Sequence, residues 1–344
     1  MVKHFDEVFE DRTKYGTKIK TDEYHNSGTH IIIDQGQEQI AGYSNREDGV
    51  FTDVPALIFG DHTRVIKYVD EPFFLGADGV KVLRCKLDDA NYKYLYYALK
   101  NVKIPNTGYN RHFKWLKEAK VIYPDSIRQA EIVCVLDHVM DIIAMRKQQL
   151  STLDELIKAR FVEMFGDPIH NNKGWKTGTV ASVCKEIYGG GTPSKAHPEY
   201  YEMGNIPWVS SKDMKTDILT ESQIYINQLG VENSTARMVP VNSIIMVIRS
   251  GILKHTLPVA INAVPVTVNQ DLKVFIPNER MLSRFMAVQF KMQERDILSG
   301  VRAVTADNIE FNSLKNRRII VPPIDLQNEF VVFMEQIDKS KLAC

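Results

Sequence analysis

The chain has 344 residues, 44% of them hydrophobic, with 43 basic and 43 acidic side chains and a formal net charge of zero. That length predicts two domains with ample apolar material for their cores. No run approaches the ~20 apolar residues of a membrane span, the N-terminal MVKHFDEVFEDRTKYG is no secretion signal, and zero net charge leaves any nucleic-acid binding to local basic faces.

Residues 1–126 read as a mixed α/β domain. Lys14, Lys18 and Lys20 form a basic strip near its start, either tracking phosphates or simply solvated. Short buried strands are predicted at Ile31-Ile32-Ile33 and Ala56-Leu57-Ile58-Phe59, a strand after a turn at Asp78 to Leu83, and an aromatic helix over Tyr92 to Lys100. Gly108 to Lys120 (GYNRHFKWLKEAK) interleaves cations with aromatics, as a nucleic-acid face does, although Phe113 and Leu116 suit a core equally well.

Residues 127–165 contain no Gly or Pro and are rich in helix formers. A seam at 3,4 spacing runs through Gln129, Ile132, Leu136, Val139, Ile143, Arg146, Leu150, Leu153, Ile157, Arg160 and Met164. This narrow stripe predicts a coiled-coil helix about 58 Å long, either an interdomain core helix or a rod that sets the distance between domains. Pro124-Asp125 and Gly166-Asp167-Pro168 punctuate its ends.

Residues 166–321 repeat the first order: Ile206-Pro207-Trp208-Val209, Ser243 to Ile248, Gln270 to Phe275, and a helix over Leu282 to Lys291. Val82-Leu83 matches Val274-Phe275 (274 − 82 = 192), and Phe113-x-x-Leu116-Lys117 matches Phe311-x-x-Leu314-Lys315 (311 − 113 = 198). At the second offset Ile122, Pro124, Gln129, Glu131 and Val133 meet Ile320, Pro322, Gln327, Glu329 and Val331. The start of the long helix therefore recurs in residues 322–344. A repeat of domain plus helix predicts antiparallel helices with a domain at each end, related by a pseudo-two-fold axis. The second helix, ending at Cys344, would then reach only the part of the first near Leu150, Leu153 and Ile157, leaving Ile132, Leu136, Val139 and Ile143 without an intramolecular partner and open to self-association.

Each polar string has a bland and a sharp reading. Asp61 and His62 follow a strand without a further ligand at metal spacing, so a satisfied turn is expected rather than catalysis, with Arg64 a candidate guanine reader. Gly189 to Lys195 lacks the phosphate-loop order. It suits a flexible loop in which Thr192, Ser194 and Lys195 approach a DNA backbone. Tyr109, Asn110 and Arg111 have no repeat partner and are candidate readers. Arg249, Ser250 and Lys254 follow one strand, and Ser210, Ser211 and Lys212 another, both as polar tips expected to face DNA. Cys85, Cys134, Cys184 and Cys344 form no Cys-x-x-Cys pair, which fits a reducing cytoplasm and disfavours a disulfide framework or zinc site. Walker A, Asn-Pro-Pro-Tyr/Phe and S-adenosylmethionine glycine motifs do not occur in the sequence.

Several strings resemble, in order, the specificity subunits of type I restriction–modification systems. They are Phe59-Gly60-Asp61-His62-Thr63-Arg64, Gly76-Ala77-Asp78-Gly79-Val80 and Gly108-Tyr109-Asn110-Arg111-His112-Phe113 in the first half. In the second they are Gly190-Gly191-Thr192-Pro193-Ser194, Ile206-Pro207-Trp208-Val209, Arg249-Ser250-Gly251 and Val268-Asn269-Gln270-Asp271. The resemblance implies an α+β chain of two target-recognition domains separated by long helices, the second of them shortened here. It implies double-stranded DNA as ligand and no catalysis by this chain. Methyltransferase and translocase–nuclease subunits would be the partners, carrying S-adenosylmethionine, ATP and magnesium. Other readings are the specificity chain of another methylating restriction enzyme and a duplicated protein-binding scaffold. Steep salt dependence of DNA binding separates DNA readers from a scaffold.

Overall fold

The computed structural model describes residues 1–76, 78–303 and 307–343; Ala77 and Cys344, both singled out in the sequence, lie outside the described residues. The chain divides into two compact units, Met1–Met145 and Arg146–Cys344, and the division falls within one long helix.

The first unit contains strands β1 (Val2–His4), β2 (Phe9–Asp11), β3 (His30–Ile33), β4 (Gly42–Ser44), β5 (Ala56–Gly60), β6 (Ile66–Val69), β7 (Phe73–Leu75), β8 (Val80–Cys85) and β9 (Lys120–Ile122). Its helices are α1 (Phe5–Val8), α2 (Tyr92–Lys100), α3 (Phe113–Lys117) and the first half of α4 (Ser126–Phe165). An antiparallel sheet runs β2-β8-β5-β6, and a smaller one runs β4-β3-β7 with β3 and β7 parallel. β1 and β9 pair and close the unit just before α4.

The second unit repeats this frame. It contains β10 (Thr177–Thr179), β11 (Cys184–Gly189), β12 (Ile206–Val209), β13 (Ile218–Leu219), β14 (Tyr225–Ile226), β15 (Ile244–Val247), β16 (Val259–Asn262), β17 (Thr267–Val268), β18 (Leu272–Pro277), β19 (Arg302–Ala303), β20 (Asp307–Asn308) and β21 (Arg318–Ile320). With them stand α5 (Gln228–Glu232), α6 (Ser283–Met292), α7 (Glu294–Ser299), α8 (Phe311–Asn316) and α9 (Ile324–Ala343). The order β11-β18-β15-β16 reproduces β2-β8-β5-β6, β14-β12-β17 reproduces β4-β3-β7, and β10–β21 reproduces β1–β9. Even the register agrees: Ile58 faces Val82 as Ile245 faces Val274, and Val2 faces Ile122 as Thr177 faces Ile320. Both offsets read from the sequence are therefore structural equivalences. The inner strands β5 and β15 are buried along their whole length, as the apolar runs predict.

One glutamine per unit fixes the junction with the following helix. Gln129, fully buried, accepts from the backbone of Asn91, the residue capping α2, at 2.8 Å and donates to the Pro124 carbonyl at 2.9 Å. Gln327 accepts from the Leu282 backbone at the start of α6 and donates to the Pro322 carbonyl, both at 2.9 Å. Each amide thus satisfies a donor at a helix start where no intrahelical partner exists.

The 40 residues of α4 give a length of about 60 Å. Asp125 caps its start by accepting from the Arg128 backbone at 2.9 Å, and Gly166, at φ 76°, ends it in the left-handed conformation that glycine tolerates best. α9 runs antiparallel to the second half of α4. Phe330 packs against Phe161 and Phe165, with ring centroids at 5.5 and 5.7 Å, while farther along Lys341 pairs with Asp154 at 2.5 Å.

The predicted seam needs correction at two places. In the second half the stripe against α9 is Ile157, Phe161 and Phe165, a 4-spaced globular face, whereas the Arg160 guanidinium pairs with Glu163 and Glu329 at 2.9 and 3.1 Å. In the first half Ile132 already packs on the core of its unit, and Gln129 and Val133 are the buried positions there. Val139, Ile143 and Leu150 stay exposed, Leu136 and Leu153 are half-buried, and Met164 packs on the second unit's core.

Candidate nucleic-acid interface

Strand direction brings the polar strings of each unit to one sheet end. In the first unit β3, β5 and β7 finish at Ile33, Gly60 and Leu75, and β8 starts at Val80. The segments that follow or precede them are laced together by Gln35. Its side-chain oxygen accepts from the His62 backbone at 3.1 Å, its amide donates to the Asp78 carbonyl at 3.0 Å, and its own carbonyl accepts from Thr63 Oγ1 at 2.6 Å.

Asp61 is the anchor beneath this tip. It is buried, its carboxylate accepts from the Phe113 backbone at 2.7 Å, and its carbonyl accepts from the His112 backbone at 2.8 Å. These bonds satisfy Asp61 within the turn and explain how residues 109–111 are held out at the surface, whereas His62 Nδ1 is buried without a hydrogen-bond partner among the described residues. The Tyr109 ring is 86% exposed and stacks on His62 at 4.7 Å and 10°. Lys18 Nζ lies 2.5 Å from the Asp78 carboxylate. The bond and charge of Lys18, followed by the charge of Arg111, hold that carboxyl below its ordinary range. Asn110 donates to the Thr107 carbonyl.

The structure therefore gathers Lys18, Tyr109, Asn110 and Arg111. Lys14 lies 4.8 Å over the Tyr15 ring and Lys20 is exposed, and no contact among the described residues ties either to the cluster. Arg64 adopts φ 62° and its guanidinium donates to the Ile104 carbonyl at 3.3 Å, so this candidate reader is engaged with its own chain. Gln35 and His62 were not singled out as binding residues, because no local spacing reports that they meet the tip.

In the second unit β11, β12, β15 and β17 end, and β18 starts, at the equivalent sheet end. Thr192 donates to Gln270. Arg249 Nε and NH2 both lie 2.7 Å from Asp271 Oδ1, and Asn269 donates to the other oxygen at 3.2 Å. This pairing leaves one guanidinium nitrogen for a ligand. Ser210 binds Asp213 through its backbone and hydroxyl at 2.9 and 2.8 Å. Ser250 accepts from the Ile252 backbone at 3.4 Å, Lys254 sits 3.8 Å from Asp307, and Ser194 accepts from the Ala196 backbone at 3.3 Å. Lys195 and Lys212 are exposed and Ser211 is half-buried.

The glycines before Thr192 are not the hinge of a flexible loop. A Cβ at Gly190 would lie 1.8 Å from the Val268 carbonyl oxygen, and one at Gly191 2.1 Å from Thr235 Oγ1. The Gly191 amide donates to Val268 at 3.0 Å, and Trp208 Nε1 donates to the Gly191 carbonyl at 2.9 Å. These residues are glycine because the segment lies hard against the sheet.

The duplication holds the frame constant while the tips differ. At offset 192 Asp78 corresponds to Gln270; Asp78 is bonded by Lys18, and Gln270 by Thr192. The two units thus share a sheet frame and present different polar groups at the same end of it.

The family described as the type I restriction modification DNA specificity domain matches residues 1–155 and 172–343, so the chain belongs to the type I restriction–modification specificity subunits. Among curated relatives, the EcoR124I/EcoR124II specificity subunit of Escherichia coli is 32% identical over 353 residues, covering 96% of this chain and 84% of that one. The MjaIX specificity subunit of Methanocaldococcus jannaschii is 24% identical over 265 residues, covering 69% and 60%. The fold is similar to that of a type I restriction–modification S subunit from M. genitalium, with a TM-score of 0.56, 14% identity, and 99% and 90% of the two chains covered. A chain from work on complex assembly of the type I system aligns with a TM-score of 0.51 at 15% identity, covering 100% and 91%. Among the described residues no helix is long and apolar enough to cross a membrane.

Proposed function

We propose that this chain is the DNA-reading, non-catalytic member of a cytoplasmic type I restriction–modification complex, each unit reading one half of a bipartite target. The observation that carries this reading is the repeated sheet end with different side chains: Lys18, Asp78, Tyr109 and Arg111 on one frame, Thr192, Arg249, Gln270 and Asp271 on the other. Arg111 is the foremost base reader of the first unit, since its guanidinium is exposed and planar donors match guanine. α4 sets the gap between half-sites and, with the flanks of the units, docks methyltransferase subunits. S-adenosylmethionine, ATP and magnesium belong to partner chains, including the translocase–nuclease subunits.

Arg111→Ala is expected to lower affinity at one half-site only, by about 1–3 kcal/mol, in binding assays on duplexes varied one half at a time. Equal loss on every sequence would remove Arg111 as a reader. Deleting four residues, Ala144 to Lys147, shortens α4 by about 6 Å. The assembled enzyme should then methylate sites with the same two halves and a different gap. An unchanged gap in a complex that still assembles would mean that α4 is not the ruler.

A further inference from the structure

In the second unit two ammonium groups share one ring. Lys273 Nζ lies 4.5 Å and Lys315 Nζ 5.2 Å from the centroid of Phe311. Neither makes a hydrogen bond or ion pair among the described residues. Attraction to a ring face offsets only part of what two neighbouring cations cost. Burial, and then the charge of Lys315, push the Lys273 ammonium below its ordinary range.

The first unit contains the same trio. Lys81 and Lys117 lie 5.0 and 5.3 Å from the Phe113 centroid. Lys81 and Lys273 are related by offset 192, and Phe113 and Lys117 match Phe311 and Lys315 at offset 198. There, however, the Asp11 carboxylate sits 3.2 Å from Lys81 Nζ. The first unit supplies an anion from its own chain; among the described residues the second holds the cations without one.

The position suits a nucleic-acid ligand. Lys273 is two residues past Asp271, which holds Arg249. It pairs in the sheet with Gly189, which leads into the Gly190–Lys195 segment. Lys315 stands on α8, shortly after Asn308, which bridges Arg249. We propose that Lys273 and Lys315 form a phosphate-binding pair of the second unit, taking a DNA backbone phosphate in the position that Asp11 fills in the first. This rests on the DNA-reading function proposed above.

The test is fluorescence anisotropy of the full chain, at nanomolar concentration, on a labelled random-sequence 40-base-pair duplex over a salt series. One neutralised phosphate contributes about 0.9 to the slope of log K against log salt, or about tenfold in affinity near 0.1 M salt. Lys273→Gln with Lys315→Gln should remove that amount equally for all sequences. Lys273→Arg with Lys315→Arg should retain it. Lys81→Gln with Lys117→Gln should change the slope by less than half as much, since Asp11 already neutralises Lys81. The single Lys315→Gln, at a half-buried position on a short helix, gives about half the loss and guards against misfolding of the double variant. Salt-dependent binding by the wild type with an unchanged slope in both Gln variants overturns the phosphate pair alone. A wild-type chain without DNA affinity overturns the reading function, and the pair falls with it.

Discussion

In sedimentation velocity the isolated chain is expected to self-associate at micromolar concentrations, and a variant with Val139, Ile142 and Ile143 replaced by Ser to remain monomeric. Six apolar side chains between residues 135 and 145 of α4 are solvent-exposed, from 41% at Ile143 to 63% at Val135. The stretch continues into a groove of about 940 Å³ whose lining includes Tyr97, Trp115, Ile122 and Leu136. Covering the exposed part of each chain recovers about half of the ~1.5–3 kcal/mol of full burial, so the six together contribute on the order of 4–9 kcal/mol before association costs. Patches of this kind mark contact surfaces. Ile132 is left intact in the variant because it packs on the first unit's core. A wild-type chain that stays monomeric at tens of micromolar would show that the patch is no contact surface for a second copy.

Phe161→Ala is expected to destabilise the second unit by about 3–5 kcal/mol. Phe161, Phe165, Phe285 and Phe330 are all fully buried and meet at centroid distances from 4.8 to 6.1 Å. The ring of Phe161 stacks on Phe285 at 27° and meets Phe330 edge-on at 79°. Its loss leaves a cavity at the place where α4, α6 and α9 converge, and four-spaced Phe165 cannot reach across to fill it. Calorimetry should show the transition of the second unit falling by roughly 6–20 °C, with the first unit's transition unchanged. A fall of less than ~1 kcal/mol would mean that α9 is held by its ion pairs instead.

Periodicity and repetition made the frame legible. Ile31-Ile32-Ile33, Leu57 to Phe59 and Ile206 to Val209 lie in strands as predicted, and α4 starts and stops within a residue of the punctuation at Asp125 and Gly166. The offsets 192 and 198 located equivalent register because core positions tolerate little drift. Gln129 and Ile157 of the seam are buried, but beyond Ile157 the buried face centres on Phe161 and Phe165, one residue past Arg160 and Met164, because a 3,4 repeat and a 3.6-residue turn diverge over 40 residues. The tips were only half legible. Arg249 and Tyr109 carry composition signals, but Asp271, Gln35 and Lys315 act through partners tens of residues away. Gly190 looked like a hinge, since a sequence does not reveal that the Val268 carbonyl lies against it.

The order in which the units close has a consequence for synthesis. β1 pairs with β9 and α4 adds Gln129 and Val133 to the core, so the first unit can finish folding once Val133 has left the ribosome. Phe161 and Phe165 emerge soon afterwards, but their partner Phe330 follows 165 residues after Phe165. At roughly 5–20 residues per second the aromatic stripe waits about 8–33 s for its cover. During that interval the nascent chain presents bare phenylalanines beside a finished domain, and slow translation of the second unit lengthens the exposure. Chaperone demand and aggregation in the cell should therefore track the elongation rate between codons 166 and 330.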